Sequence, residues 1–248
     1  MAGMGLKTGV FALGALALAG IGTFGAATLT APKAGAEDAA PKVTKEDVLK
    51  SAEFGRPGDI VLGDADAPIE VIEYASTTCG HCASFKTRTF PSFKAAYVDT
   101  GVAKYTLREF PTAPVVLSAS AFMLARCVDE SRYYGLIDVI FKTQRSWAYV
   151  NSAEEGRGKL KAIARQAGVS EAQFEACLAD DAEYQRIRAV QKQGTDVFGI
   201  RATPSLIVNG EMVQGFQTFD ELAKVLDKYV PDDARDRVDA AKADLAAE

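Results

Sequence analysis

The hydrophobic pattern begins with two short β-rich runs. Asp59-Ile-Val-Leu62 and Ile69-Glu-Val-Ile-Glu-Tyr74 flank Gly63-Asp-Ala-Asp-Ala-Pro68, a turn by composition. After Tyr74 the period changes. Phe85, Phe90 and Phe93 suit a helix reaching about Tyr97. The stretch from Val102 to Phe110 alternates as a further strand, and Pro111 and Pro114 close it. From about Val115 to Gly194 the pattern is helical throughout. Leu117, Ala121, Leu124, Cys127 and Val128 fall at helical spacing, as do Leu136, Val139, Ile140 and Phe141. Gly168 ends a helix that starts near Glu154, and Ser170-Glu-Ala-Gln173 has the form of a reciprocal helix cap. A long helix is predicted from Asp181 to Phe198. Strand signals return at Ser205-Leu-Ile-Val208 and Met212-Val213, joined by Asn209-Gly210, a strong hairpin signal. Phe219 to Val230 is a final amphipathic helix, and residues 231–248 form a charged tail, expected as solvated helix or coil.

This order describes an α/β unit interrupted by helices. Residues 58–114 form its first part, 115–194 the helical insertion and 195–230 its second part. The strands on either side of the insertion must meet in one sheet, so both parts are expected to share a core. Residues 37–57 are polar, with prolines at 41 and 57, and are expected to be a linker with a short helix near 44–52. At 248 residues the chain holds one large domain or a domain with an insertion. Hydrophobic residues make up 48% and charged residues 25%, which excludes a wholly disordered chain and a polytopic membrane protein.

Residues 1–36 follow a different logic. Lys7 precedes an uncharged stretch from Thr8 to Leu29, and Ala34-Gly35-Ala36 places small residues at a cleavage site. The pattern predicts a secretory signal peptide. A permanent membrane anchor is the alternative, since the uncharged stretch is long enough to span a bilayer. Cleavage would remove two lysines and no acid, moving the formal charge from -5 to -7. An acidic chain without a basic run is a poor nucleic-acid binder. Export also places Cys79, Cys82, Cys127 and Cys177 in an oxidising compartment.

Cys79-Gly-His-Cys82 lies just after an apolar strand, at the start of a helix. The free N–H groups and partial positive charge of a helix N-terminus stabilise a thiolate at Cys79. The thiolate is the species that attacks or leaves in disulfide exchange. Two intervening residues let Cys82 close a disulfide with Cys79, and a protonated His81 would add positive charge beside it. A stabilised thiolate makes the reduced pair stable and its disulfide an oxidant. A zinc site would need a second close pair, which Cys127 and Cys177 are not. Haem attachment would need histidine where Ala83 stands, and a single histidine excludes a multi-histidine metal centre. No cofactor is expected. Thr203-Pro204 precedes a strand, where a cis X–Pro bond would expose the Thr203 backbone to an extended peptide.

Gly58-Asp-Ile-Val-Leu-Gly, Ile72-Glu-Tyr-Ala-Ser, Cys79-Gly-His-Cys, Arg108-Glu-Phe-Pro and Thr203-Pro together resemble the DsbA family over about residues 44–230. These are thiol:disulfide oxidoreductases of the bacterial periplasm. The resemblance implies a thioredoxin fold with an inserted helical subdomain and donation of a disulfide to exported proteins. It implies that Cys79 is the nucleophile, Cys82 the buried resolving cysteine and His81 the residue that tunes Cys79. It further implies that Pro204 is a cis-proline, that Thr203 contacts substrate, and that Glu73 is a buried acid moving protons behind the site. The chain carries Gly80-His81 where the best-known members have Pro-His, and Gly-His also occurs in eukaryotic disulfide isomerases.

Cys127 and Cys177 both lie in the insertion, 50 residues apart. Some DsbA-like proteins carry a second disulfide, which implies a structural bond here; two separate buried cysteines are the alternative. The implied partners are reduced exported proteins and a membrane quinone-linked partner that reoxidises the enzyme, with the chain itself a monomer. An isomerase or reductase is the enzymatic alternative, and a redox-inert peptide-binding holdase the non-enzymatic one.

Overall fold

In the computed structural model, the described residues are 58–215 and 217–247. The expected signal peptide and the whole of the expected linker, residues 37–57 with its short helix near 44–52, lie outside them. Among the described residues no helix is long and apolar enough to cross a membrane.

Five strands form one sheet: β1 (Val61–Leu62), β2 (Ile69–Ala75), β3 (Ala103–Glu109), β4 (Ser205–Val208) and β5 (Glu211–Gln214). Their spatial order is β1-β3-β2-β4-β5. Strand β2 is central, running parallel to β3 and antiparallel to β4. Strands β1 and β5 pair antiparallel with β3 and β4 at the two edges. A parallel pair needs a crossover. Here it is one continuous helical segment: α1 (Gly80–Ser84), a wide π turn (Phe85–Thr89), α2 (Phe90–Phe93) and a second π turn (Lys94–Val98). Pro91, which has no N–H for the helical ladder, lies between the two wide turns.

The two-residue period of β2 assigns its side chains to two cores. Ile69, Val71 and Ala75 pack with Phe85, Phe93 and Tyr105 in the main core, whereas Ile72 and Tyr74 pack with Phe110, Val190, Phe198 and Ile207. Glu73 belongs by register to the first face, the one covered by the crossover helix. At the hairpin, Asn209 and Gly210 both take positive φ, 44° and 83°, as a two-residue turn with this sequence requires.

Six helices separate β3 from β4. They are α3 (Val115–Arg126), α4 (Glu130–Lys142), α5 (Gln144–Trp147), α6 (Ala153–Gln166), α7 (Glu171–Leu178) and α8 (Asp181–Asp196). The reciprocal cap of Ser170 and Gln173 forms as the sequence predicts. Helix α8 lies close against the sheet, and Gly194 allows this: a Cβ there would stand 2.8 Å from the Tyr74 ring.

Buried charge fastens the insertion to β3. The Glu109 carboxylate is fully buried and accepts from Arg126 and Arg186, each at 2.7 Å. Burial alone would raise its pKa, but the two guanidinium groups outweigh this and hold it below the usual carboxylate value. Arg108 reaches Asp59 at 2.8 Å and the Tyr74 hydroxyl at 3.2 Å. Next to Arg126, Cys127 is bonded to Cys177, with Cα atoms 6.0 Å apart.

Two features differ from the sequence expectation. The final amphipathic helix, α9 (Phe219–Leu226), stops before Val230. The tail expected as solvated helix or coil forms a short 3-10 turn (Asp232–Ala234) and a helix, α10 (Arg235–Ala246), and this helix is packed against the core and not solvated all round. Val238 is buried against the main core, and Lys242 reaches Asp227 at 2.6 Å. Ala234 is buried in the same core, Ala241 and Leu245 pack against it, and Lys242 also lies 5.2 Å over the Tyr97 ring, so a segment that is mostly charged and alanine-rich is docked.

Removing Glu109 as Glu109→Ala would take the shared, fully buried carboxylate away from the half-buried Arg126 and Arg186. The expected loss is about 3–5 kcal/mol in urea unfolding of the oxidised protein. A loss under about 1 kcal/mol would show that this carboxylate does not hold the insertion. Replacing both Cys127 and Cys177 by alanine opens a 50-residue loop. The chain-entropy relation gives a loss of about 4 kcal/mol, checked by the same urea titration.

Candidate active site

The end of β2 places Cys79 at the N-cap of α1, in extended backbone conformation (φ -81°, ψ 121°). Its N–H donates to the Ser76 carbonyl, and its own carbonyl accepts the first helical bond from Ala83, both at 3.1 Å. Cys79 is half-buried, whereas Cys82, one helical turn on, is completely buried. Both are free thiols in this structure.

The two sulfurs have opposite surroundings. Hydrogen bonds from the Cys82 thiol, the Thr203 side chain and the backbone N–H groups of Cys82 and His81 favour the Cys79 thiolate. They outweigh burial and pull the Cys79 pKa down to about 5. As a thiol, Cys79 donates to the Thr203 carbonyl at 3.2 Å. Burial pushes the Cys82 thiol well above its ordinary value, and the neighbouring Cys79 adds to the rise. The one backbone donor on Cys82, Ser76 N–H at 3.4 Å, only partly offsets this. The His81 side chain is exposed, and what His81 gives the Cys79 sulfur is its backbone N–H. The Thr203–Pro204 peptide is cis, and the Pro204 carbonyl accepts from Gly215 N–H at 3.0 Å.

Glu73 is fully buried on the central strand, not at a solvated edge. Its Oε2 accepts from the Tyr105 hydroxyl, and Oε1 has no hydrogen-bond partner among the described residues. Burial raises its pKa to about 7, against the opposing pull of Lys86 and the Tyr105 hydrogen bond. Lys86 is itself buried. Its Nζ sits 3.2 Å over the Phe90 ring centroid and 3.5 Å from Asp138 Oδ1. Burial lowers the Lys86 pKa. A cation, a carboxyl and a phenol therefore share the low-dielectric space behind the two cysteines.

Sequence reasoning missed three supporting groups. Lys86 follows Cys82 by four residues and so falls on the buried helix face, a signal that was present in the spacing. Gln144 is buried between Phe141 and Trp147. Its amide donates to the carbonyls of Thr77 (2.8 Å) and Cys79 (2.9 Å), tying the insertion to the active-site turn. Its spacing, three residues from both Phe141 and Trp147, was its sequence signal. Beneath the turn, Ser76 Oγ meets Ser118 Oγ (3.0 Å), Thr78 Oγ1 (3.1 Å) and Thr112 Oγ1 (2.9 Å). Nothing local in the sequence marks that cluster, whose members come from three separate segments. Cys127 and Cys177 belong to the insertion's own framework and not to this site.

The lowered Cys79 pKa sets a pH dependence with a definite sign. A depressed thiol pKa stabilises the folded reduced form fully above the unfolded value of 9.0. That gain is lost as pH falls through about 5, and the oxidised form never has it. The thiolate absorbance of Cys79 should titrate near pH 5. The melting temperature of the reduced protein relative to the oxidised one should fall as pH drops from 8 toward 5. A thiolate midpoint above about 8, the ordinary cysteine range, would contradict the hydrogen-bond argument.

The chain resembles known proteins in sequence and in fold. The sequence model of the thioredoxin family matches residues 56–228. A Rickettsia bellii protein named as a protein-disulfide oxidoreductase is 32% identical over 182 residues, covering 73% of this chain and 68% of the relative. A Rickettsia prowazekii relative of the same description is 31% identical, and the match spans 64% of its length. The crystal structure of Wolbachia pipientis alpha-DsbA1 superposes with a TM-score of 0.65 at 29% identity, covering 76% of this chain and 95% of that one. Bacillus subtilis BdbD, at 22% identity and a TM-score of 0.54, shares the fold. The chain therefore belongs to the thioredoxin family and, within it, to the DsbA-like protein-disulfide oxidoreductases.

Proposed function

We propose that this protein is a periplasmic disulfide donor that oxidises exported proteins through a mixed disulfide at Cys79. The observation that carries this reading is the opposition between the two sulfurs: Cys79 is held as a thiolate, Cys82 as a buried thiol. In the first step a substrate thiolate attacks Cys79 Sγ of the oxidised pair. A substrate–Cys79 bond forms and the Cys79–Cys82 bond breaks. The electron pair goes to Cys82, which cannot stay charged where it is buried and takes a proton. Glu73, with a pKa near neutrality, supplies that proton and regains one from solvent. In the second step another substrate thiolate attacks the substrate sulfur of the mixed disulfide. Cys79 leaves with the electron pair as a stabilised thiolate. The substrate has then lost two electrons to its new disulfide, and the enzyme pair has gained them.

In this reading Thr203 and Pro204, beside Cys79, form the surface on which an extended substrate segment lies. A membrane quinone-linked partner takes the electrons back, and the chain acts as a monomer after its signal peptide is removed. The reoxidising partner follows from the family resemblance, the signal peptide from the pattern of residues 1–36 and the monomer from the short segment 37–57. Cys127 and Cys177 take no part in the electron traffic.

Equilibration with glutathione buffers measures the potential of the Cys79–Cys82 pair. The expected value lies between about -120 and -180 mV, the range of disulfide donors and isomerases. A value near about -270 mV, as in thioredoxin, would make the reduced pair a strong reductant and end the oxidase reading. Cys79→Ser should abolish oxidation of a reduced substrate protein, and Glu73→Gln should slow the step in which Cys82 is protonated, most clearly near pH 7.

A further inference from the structure

A pocket of about 560 Å³ opens one residue beyond Cys79, between the active-site helix and the insertion. One wall is the face of the crossover helix carrying Gly80 and Arg88. The other carries Phe141, Lys142, Arg145 and Tyr149. Among the described residues no acidic side chain lines it. Arg88, Lys142 and Arg145 are exposed, and none has an ion-pair or hydrogen-bond partner among the described residues. Elsewhere on this acidic chain exposed or half-exposed cations are commonly paired, as Lys94 is with Asp99, Lys161 with Glu171 and Lys228 with Glu211. Three unpaired cations facing one cavity, on a chain of formal charge -5, are a local reversal of sign.

The pocket is also built rather than incidental. Gln144 fixes the two walls to each other at the Cys79 end through its bonds to the Thr77 and Cys79 carbonyls. Phe141 is buried and gives the far wall an apolar base. The Tyr149 hydroxyl leans over Gly80, where even a Cβ would stand only 3.0 Å from it. A glycine at position 80 therefore keeps the mouth of the pocket open directly beside the reacting sulfur.

We propose that this pocket is an anion-recognising subsite that selects thiol partners carrying carboxylates next to the reacting cysteine. The inference rests on the thiol-exchange reading above and adds a substrate class to it. The subsite acts on encounter and orientation: the partner's carboxylate meets Arg88, Lys142 and Arg145 while its thiolate faces Cys79. The exchange itself is unchanged, one sulfur–sulfur bond forming at Cys79 as the bond to Cys82 breaks. Opposite charges that meet at an interface raise association rates and discriminate between partners, and the effect falls with salt.

The test uses the oxidised full-length protein and three single-cysteine peptides, with two glutamates, two serines or two lysines beside the cysteine. Second-order rates of Cys79–Cys82 reduction are measured by acid quench and mass spectrometry and expressed per thiolate, so that differences in peptide thiol pKa drop out. The glutamate peptide is expected to react about tenfold faster than the lysine peptide, a difference of about 1.4 kcal/mol. In 1 M NaCl, where the Debye length is about 3 Å, the ratio should collapse toward one. The double variant Arg88→Glu, Arg145→Glu should invert the ratio, and Lys142→Glu alone should reduce it if the double variant does not fold. Glutathione compared with 2-mercaptoethanol separates the sources of the carboxylate. A faster glutathione rate assigns the pocket to any carboxylate-bearing thiol, and a preference confined to the peptide assigns it to polypeptides. Equal rates for the three peptides, or a preference that survives the charge reversals, overturn the subsite alone. Failure of every thiol, 2-mercaptoethanol included, to reduce the pair overturns the exchange reading and the subsite with it.

Discussion

The chemistry depends on one junction, the point where β2 ends and α1 begins. The first N–H groups of a helix have no partners within it. With Cys79 at the N-cap, its sulfur meets those of His81 and Cys82. The same turn sends Cys82 inward, where water cannot solvate a charge. Two identical side chains three residues apart thus become a stable anion and a reluctant one. The position of the junction is fixed by the register of β2 against β3 and β4. A one-residue slip would move every side chain of β2 to the opposite face. It would place Glu73 in the second core, away from the crossover helix, and would pull Cys79 out of the cap.

Behind the junction the protein tolerates buried polar groups that a purely structural core would avoid. Desolvation decides the outcome for each of them. It raises Glu73 despite the attraction of Lys86 and the Tyr105 hydrogen bond, and it lowers Lys86 despite Glu73 and Asp138. Tyr105 is pushed so far upward that it acts only as a neutral donor. Glu109 behaves in the opposite way, because two guanidinium groups touch it directly. The contrast is geometric. A carboxylate with two bonded arginines stays ionised and holds elements together, whereas one with a single phenol and a cation that does not bond to it is left near its point of titration.

What the sequence disclosed was whatever is local along the chain. The Cys79-Gly-His-Cys82 run, the strand before it, the cap at Ser170–Gln173 and the Asn209-Gly210 hairpin each declare themselves within a few residues. The element order followed from changes in hydrophobic period, and with it the α/β class and the inserted helices. What stayed hidden joins distant segments. The bonds from Gln144 to the active-site turn span 65 and 67 residues, and Glu109 gathers arginines 17 and 77 residues away. No periodicity encodes such pairs. The docking of helix α10 was hidden for a related reason: Val238, Ala241 and Leu245 meet a core built elsewhere in the chain, and Lys242 meets Asp227 and Tyr97, both outside the segment.

The insertion is therefore part of the active site's foundation. Its first helix contributes Ser118, whose Oγ joins Ser76 and whose carbonyl accepts from Thr77 at 3.0 Å. Its second and third helices carry Phe141, Gln144 and Trp147, and all three side chains are buried. Gln144 then fixes the Cys79 carbonyl at the point where the first helical bond begins. Gln144 thereby links the insertion directly to the N-cap that carries the nucleophile. Two further linkages of the insertion meet at one place. Arg126 and Cys127 are adjacent in sequence, the first bonded to buried Glu109 and the second to Cys177. An ionic anchor to the sheet and a covalent anchor to α7 thus act at the same helix end, α3, whose opposite end supports the turn that carries the nucleophile.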